Sequence, residues 1–283
     1  MQAFDNRLVA LSITIAGETV TYDQSYYILA TGTKYVNGNF AEGTVRIDNI
    51  SKKTRDLIIN KTSQWNPNFQ PASITLSVGR QSSGSFVLFS GDAIASNPTQ
   101  PPDIALILRS LSFSGVFAIP NAFSAAPTTN IQAIAQQVAD SLGLTLKFQS
   151  TSTRQIANYN FTGAAGKQIA KLAQLGIWAY QDGDSLIVTD PYGARTDVET
   201  IDIDTNNGLI GVPEVTEIGA RARVLITREI NIGTKVNLTS KINPAVNGAY
   251  TVIKLMFEIA SRDTPFYWIL EMQPNPYSLV ANP

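Results

Sequence analysis

The sequence contains no cysteine and no histidine. The absence of cysteine excludes disulfides, thiolate nucleophiles and cysteine-ligated zinc or iron–sulfur sites. The absence of histidine excludes a Ser–His–Asp triad and removes the commonest general base and the usual imidazole metal ligand. Most familiar hydrolase mechanisms are therefore excluded, and packing or oligomerisation must stabilise the fold.

An excess of charge of one sign is also lacking. The chain has 21 Lys plus Arg and 22 Asp plus Glu, a formal net charge of −1. Binding to nucleic acid or anionic lipid needs clustered cations. The longest basic cluster is Lys52-Lys53 with Arg55, at a predicted helix start, and it indicates a solvated helix face. Composition therefore disfavours tight DNA binding.

Long apolar runs are missing too. Stretches such as Ile104–Leu108 are far shorter than the roughly 20 residues that span a bilayer. Asp5, Asn6 and Arg7 interrupt the N-terminus before any apolar run, so we expect no secretory signal. With 283 residues, 44% of them hydrophobic, the chain can bury two or three cores. We expect a soluble protein without a membrane partner.

The first third alternates apolar and polar residues, which is typical of half-buried strands. The period-two segments are Val9–Ile15, Val45–Ile47, Ile74–Val78 and Phe86–Phe89. One helix is predicted over residues 51–62, with Ser51 as its cap and Thr54, Leu57, Ile58 and Lys61 on one stripe. Many short strands predict a barrel or sandwich, and the helix would close one open side of it.

Two loops should separate this region from the next. Prolines over residues 97–103 lack ladder donors, so this passage cannot lie within a central strand and is expected to form a long loop. A second loop is predicted over residues 119–128 and places a domain boundary there.

The middle of the chain predicts a small α+β domain. Ile131, Ile134, Ala135, Val138 and Leu142 follow helical spacing, and Gly143 marks the helix end. A strand over residues 144–148 and a second helix from Ala165 to Ala173, ending at Gly176, come next. Asp182-Gly183 then indicates a hairpin between strands at 177–180 and 186–188.

After Pro191 the period returns to two. The alternating segments are Ala222–Ile226, Val236–Leu238, Ile253–Ile259 and Phe266–Met272, and prolines at 274, 276 and 283 predict an extended tail. The expected fold is therefore mainly β, with a first barrel over 1–120, the α+β domain over 128–192 and a second barrel over 196–283. Either barrel can be discontinuous in sequence.

Candidate binding motifs favour structural roles. Gly163–Lys167 opens a helix, but the phosphate-loop pattern requires Ser or Thr where Gln168 stands. Asp202 and Asp204 share a face of a predicted strand but lack a third ligand for a hard cation. Asp182 and Asp184 flank a turn, where Asp is favoured for backbone reasons. We therefore assign no catalytic, cofactor-binding or metal-binding residue.

Four segments, in this order, resemble those of phage baseplate hub proteins, the subunits that join a contractile tail tube to the central spike. They are Ser90–Ile94 running to Pro98 and Pro101–Asp103; Asn160-Phe161 through Leu175–Tyr180 with Asp182-Gly183; Gly208–Pro213 with Gly219; and Leu238–Ser240 through Asn247–Val252. The resemblance covers roughly residues 90–272. The earlier residues fit by strand pattern and by the strand at 45–49 leading into a helix.

The resemblance implies two tube-like β-barrel domains in one chain, so that a homotrimer forms a pseudo-hexameric ring. Its implied partners are the tail tube protein, the central spike protein, other baseplate or wedge proteins and the tape measure protein, with DNA only in transit. The implied location is the virion tail, with host cytoplasm during assembly. Some hubs carry a fused lysozyme domain; here we expect such activity on separate chains and no enzyme in this one.

Two other functions remain open from sequence alone. A carbohydrate- or receptor-binding β module would expose aromatic residues in loops, where Trp65 is the one Trp so placed, since Trp178 and Trp268 fall within predicted strands. A histidine-free glycosidase would need two converging carboxylates, for which Glu214, Glu217 and Asp103 are candidates.

Overall fold

The computed structural model describes residues 5–36, 40–63, 65–70, 72–112, 120–164 and 166–275. The predicted mainly β architecture is confirmed. The strands are β1 Arg7–Ile15, β2 Glu18–Tyr22, β3 Ile28–Tyr35, β4 Glu42–Ile47, β5 Ser73–Arg80, β6 Gly84–Pro98, β7 Leu106–Leu111, β8 Pro120–Ser124, β9 Thr128–Asn130, β10 Thr145–Phe148, β11 Gln155–Ala157, β12 Asn160–Ala164, β13 Trp178–Asp182, β14 Ser185–Thr189, β15 Ile201–Ile203, β16 Leu209–Thr216, β17 Gly219–Leu225, β18 Lys235–Leu238, β19 Gly248–Ala260 and β20 Phe266–Pro274.

Three α-helices accompany them among the described residues: α1 Lys52–Thr62, α2 Ile131–Leu142 and α3 Lys167–Ala173. A 3₁₀ turn covers Pro244–Val246. The predicted Ser51 cap is confirmed, because its side chain accepts a hydrogen bond from the Thr54 backbone N–H. Gly143 ends α2 in the left-handed conformation, as its position predicts. On α1, however, Leu57 is exposed and Ile58 with Thr62 forms the buried face.

One large sheet holds most strands, in the order β16-β17-β20-β19-β3-β4-β7-β6-β5-β1-β2, with β15 and β18 attached beside β19. Period-two alternation turns one face of each strand toward a single large core that includes Leu11, Val45, Leu108, Phe257 and Trp268. We call β1 to β7 with α1 the first β unit and β15 to β20 the second β unit.

The two β units repeat one topology. The path β3-β4-β7-β6-β5 of the first unit recurs as β16-β17-β20-β19-β18 in the second. A bulge marks the same place in both, since one extra residue, Ile94 in β6 and Ile253 in β19, shifts the register against β7 and β20. The chain therefore contains the same β arrangement twice.

Strand β19 joins the two units. It pairs with β20 along one side, while its other side pairs first with β18 and then with β3, through seven pairs from Lys254↔Tyr35 to Ala260↔Leu29. Here Phe257 lies against Gly32, where an added Cβ would be 2.3 Å from the Phe257 Cζ. The glycine lets the aromatic ring pack against the neighbouring backbone.

The α+β region has its own core, built from α2, α3 and strands β8 to β14, with Ile134, Val138, Leu172 and Val188 at its centre. The β13–β14 hairpin is buried on both faces. Tyr180 and Ile187 belong to the large core, whereas Ala179 and Leu186 belong to the smaller one. This hairpin attaches the α+β region to the β units.

Two loop predictions are wrong in part. Residues 120–124, expected within a loop, form β8 and pair with β12. Residues Asn97 and Pro98, also expected in a loop, end β6 and pair with Ile107 and Leu106. The proline is tolerated because β5 pairs with β6 only as far as Asp92, which leaves this end of β6 with one neighbour. The domain limits drawn from the sequence stay a prediction.

Candidate assembly surfaces

Strand β16 is a free sheet edge. It pairs with β17 on one side, and no described strand pairs with its other side. Exposed apolar side chains surround this edge: Val212, Val215, Ile218 and Ile242. The Asn243 side-chain amide donates to the Pro213 carbonyl at 2.9 Å and so ties the 240–243 segment to β16. Unpaired backbone beside exposed apolar groups is typical of a binding edge.

Val215 occupies an unfinished core position. It lies directly opposite Ala220, which is fully buried, so both side chains lie on the core side of the sheet. Val215 is nevertheless 64% exposed, because no further strand covers it. Thr216, the next residue, faces the other side of the sheet. Its hydroxyl is buried and has no hydrogen-bond partner among the described residues.

The last residues of β6 form a second free edge. The Ala93 N–H donates to the Ala72 carbonyl at 2.7 Å, and beyond that point β6 pairs with β7 alone among the described strands. Helix α1 packs on the core side here, where the Thr62 and Ser96 hydroxyls are hydrogen-bonded. Asn97 and Pro98 are exposed.

The solvent face of the large sheet carries paired charges. Glu271 accepts from Arg221 at 2.6 Å and lies 3.5 Å from Lys254. The Tyr267 hydroxyl donates to Glu258 at 2.7 Å. Two hollows of about 280 and 300 Å³ follow this face and meet at Met256. The two hollows are lined by four cationic and four acidic side chains, so their charges balance in number.

A buried ion cluster around Arg195 lies between the α+β region and the second β unit, where the Arg195 backbone N–H donates to the Gly233 carbonyl at 2.8 Å. Arg195, with a side chain 5% exposed, is paired with Asp182 and, at 2.8 Å, with Asp197. Burial alone would lower the pKa of Arg195, but hydrogen bonds to Asp197 and Asp182 outweigh it and raise the pKa. The hydrogen bond from Arg195 holds the pKa of Asp197 well below its usual range. Burial raises the pKa of Tyr180, whose ring lies beside this cluster.

The acidic candidates serve the fold. Asp202 accepts from the Asn237 side chain at 2.8 Å. Asp204 lies just after β15, not within a strand, and accepts from the Asn206 and Asn207 backbone. Asp182 flanks the β13–β14 turn, as predicted, and is in addition a partner of Arg195. No group of three metal-binding side chains occurs in the described part of the chain.

The glycosidase candidates lie in separate elements. Glu214 is on β16, Glu217 in the turn that follows, and Asp103 in the loop between β6 and β7. Gly166 precedes α3 without a side-chain cap, and Lys167 begins that seven-residue helix. Sequence reasoning missed Arg195, because only the fold brings it to Asp182.

The tryptophans are placed as predicted. Trp65 lies in a loop and is 95% exposed, and Phe69 nearby is also exposed. Trp178 packs edge-on against Tyr192, with ring centroids 5.3 Å apart. Trp268 is buried, and its indole N–H donates to the Thr227 carbonyl at 3.1 Å. None of the helices in the described ranges has the length and apolarity needed to cross a bilayer.

Solved tail proteins are similar to this chain in fold. The 43 kDa tail protein of prophage MuSo2 from Shewanella oneidensis superposes with a TM-score of 0.62 at 10% identity, over 93% of this chain and 96% of that one. The tail protein from Neisseria meningitidis MC58 gives 0.61 at 10% identity, over 94% and 97%. The E. coli c3393 protein, a component of the type VI secretion system described as similar to T4 tail proteins gp27 and gp5, gives 0.59 at 8% identity, over 94% and 77%.

The sequence itself identifies the family. Residues 8–272 match the family Baseplate hub gp41, so the chain belongs to this family and is a structural hub protein of the phage tail baseplate. No curated protein has a significantly similar sequence. The resemblance drawn from four sequence segments is confirmed.

Proposed function

We propose that three copies of this chain close into a ring that joins the tail tube to the central spike and leaves a lumen for DNA. The observation that carries the proposal is the internal repeat: one chain presents the same five-strand path twice. Three copies therefore supply six similar β units. Such a ring matches a sixfold tube on one face and a threefold spike on the other.

The proposed partners are the tube protein, the spike protein and the surrounding baseplate or wedge proteins, with the tape measure protein inside during assembly. Assembly takes place in the host cytoplasm. The hub acts by shape and surface complementarity, without catalysis, cofactor or metal.

The charge-paired sheet face suits the lumen. DNA backbone is retained by unpaired Lys and Arg, whose phosphate contacts give affinity. On this face Arg221 and Lys254 share the carboxylate of Glu271. The other charges that line the hollows, two arginines and three glutamates, bring the balance to four cations and four acids. DNA would pass such a surface without being held. Strong binding of the isolated protein to duplex DNA at physiological salt would contradict this assignment.

The test of the ring is the mass of the protein in solution by multi-angle light scattering, measured alone and with its tube and spike neighbours. We expect three times the chain mass of 30.6 kDa in at least the second setting. A chain that stays monomeric beside both partners would overturn the proposal.

A second candidate rests on Trp65. A 95% exposed indole, four residues before an exposed Phe69 in the same loop, fits a receptor- or carbohydrate-binding surface. Binding of soluble glycans that is lost in Trp65→Ala would support it. Unchanged hub assembly in that variant would show that the two functions are separate.

A further inference from the structure

The contact between the two β units of one chain predicts the contact between neighbouring copies. Within one chain, β19 of the second β unit pairs antiparallel with β3 of the first, and we call this pairing the internal join. If the two units alternate around a ring, the first unit of one copy must meet the second unit of the next copy in the same way. This inference rests on the proposed ring and adds the strands that form it.

The repeat gives the equivalent of each strand at the join. The bulges align Ile94 with Ile253, so Asn97 and Pro98 of β6 correspond to Met256 and Phe257 of β19. The equivalent residues of β3 and β16 follow from the same bulges. In the first unit, Ser110 next to the bulge pairs with Gly43, which pairs with Gly32. In the second unit, Met272 next to the bulge pairs with Ala220, which pairs with Val215. Val215 therefore corresponds to Gly32, and Thr216 to Thr33.

We propose that β16 of one copy pairs antiparallel with the last residues of β6 of the next copy, with Asn97 opposite Thr216 and Pro98 opposite Val215. These are the two strand edges that the repeat requires to be free, and both are unpaired among the described residues. The contact joins different surfaces of two identical chains, so it propagates head to tail, and it closes as a ring of three when the rotation between copies is one third of a turn.

Observations at β16 support its pairing with β6 of the next copy. Val215 lies on the core side but is 64% exposed, as expected of a residue that a neighbouring strand covers. In the internal join the equivalent position holds Gly32, beneath Phe257. Pro98 is smaller than phenylalanine, which leaves room for the valine opposite it.

Pro98 also sets the strength of the contact. It has no N–H to donate, so this pairing has fewer hydrogen bonds than the internal join. A proline at an exposed edge also discourages pairing with unrelated strands. We therefore expect copies to associate weakly in pairs and stably when the ring closes.

The absence of cysteine makes disulfide cross-linking a clean test. Directly opposed residues of antiparallel strands have Cα atoms about 4.5–5.5 Å apart, within the range that a disulfide bridges. The full chain with Asn97→Cys and Thr216→Cys, assembled with its tube and spike neighbours and oxidised, should give covalent dimers and trimers on a denaturing gel. The matched control combines Asn97→Cys with Val20→Cys on β2, at the opposite end of the strand order from β16, and should remain uncross-linked.

A charge at the edge tests the same contact without oxidation. Val215→Lys should fold with an unchanged melting temperature, because the side chain is exposed, and should shift the light-scattering mass from trimer to monomer. Val20→Lys on β2 should leave the trimer intact. A lysine at a sheet edge opposes pairing with another strand, because pairing would bury its charge.

The outcomes separate the two proposals. A trimer that Val215→Lys leaves intact and that the Asn97/Thr216 pair does not cross-link overturns the strand assignment while the ring stands. Cross-linking of the Asn97/Val20 pair instead also overturns it. Monomers in every setting overturn the ring and the strand pairing together.

Discussion

The two β units share a strand path but are completed differently. In the first unit, the chain between β4 and β5 forms α1, which places Ile58 in the large core. In the second unit, the chain between β17 and β18 is irregular, and the β13–β14 hairpin supplies Tyr180 to the core beside it. The same place is closed once by a local helix and once by a distant segment.

The units also differ at their outer hairpins. Strand β3 of the first unit is covered by β19, whereas β16, its equivalent, is free among the described strands. Correspondingly, Gly32 packs against Phe257, whereas Val215 is exposed to solvent. The comparison teaches that the same outer hairpin is paired on both sides in the first unit and on one side in the second, among the described strands.

The largest effect is expected at the closure of the second unit. Gly233 has φ +78°, and an added Cβ would lie 2.2 Å from the Tyr180 Oη and 2.8 Å from the Arg195 Cγ. Gly233→Ala should lower the free energy of unfolding by about 2–4 kcal/mol through backbone strain and overpacking. Urea denaturation measures the loss.

Gly183→Ala is the matched control. Its φ is +55°, and nothing lies within 4 Å of the added Cβ, so only the backbone cost of about 1 kcal/mol remains. Equal losses in the two variants would contradict the tight packing of Tyr180 and Arg195 around Gly233.

A smaller effect is expected from placing alanine at the two equivalent outer positions. Gly32→Ala puts a Cβ 2.3 Å from the Phe257 Cζ and 2.5 Å from the Glu42 carbonyl oxygen, so it should cost about 1–3 kcal/mol. Val215→Ala removes exposed methyl groups and should change the free energy of unfolding by no more than about 0.5 kcal/mol. Comparable losses, seen by thermal or urea unfolding of the monomer, would mean that β16 is already covered within the chain.

The smallest effect is a pH dependence of the attachment between the α+β region and the second unit. The pKa of Asp197 is lower in the folded protein than in the unfolded chain, so the folded state binds fewer protons. The stabilisation is present above the ordinary carboxyl pKa of about 3.9 and is lost as the pH falls toward the lower folded pKa. Urea midpoints from pH 6 down to pH 3 should fall less steeply in Asp197→Asn than in the native protein. Parallel curves would show that Asp197 does not contribute.

Local patterns in the sequence determined the local elements. Period-two alternation predicted the strands around Val9, Val45 and Val78, and helical spacing with Ser51 and Gly143 predicted α1 and α2. These features depend on each residue's own neighbours in the chain, so sequence suffices. The four segments that resemble hub proteins gave the family for the same reason.

Only the tertiary structure decided which strands meet and which edges stay free. The pairing of β19 with β3 joins residues more than 200 positions apart, and no local spacing encodes it. The same holds for Arg195 with Asp182 and for the exposure of Val215, whose alternation alone would place it in a core. Strand order is a property of the whole chain, because each strand is equally able to pair with many others until packing selects its neighbours.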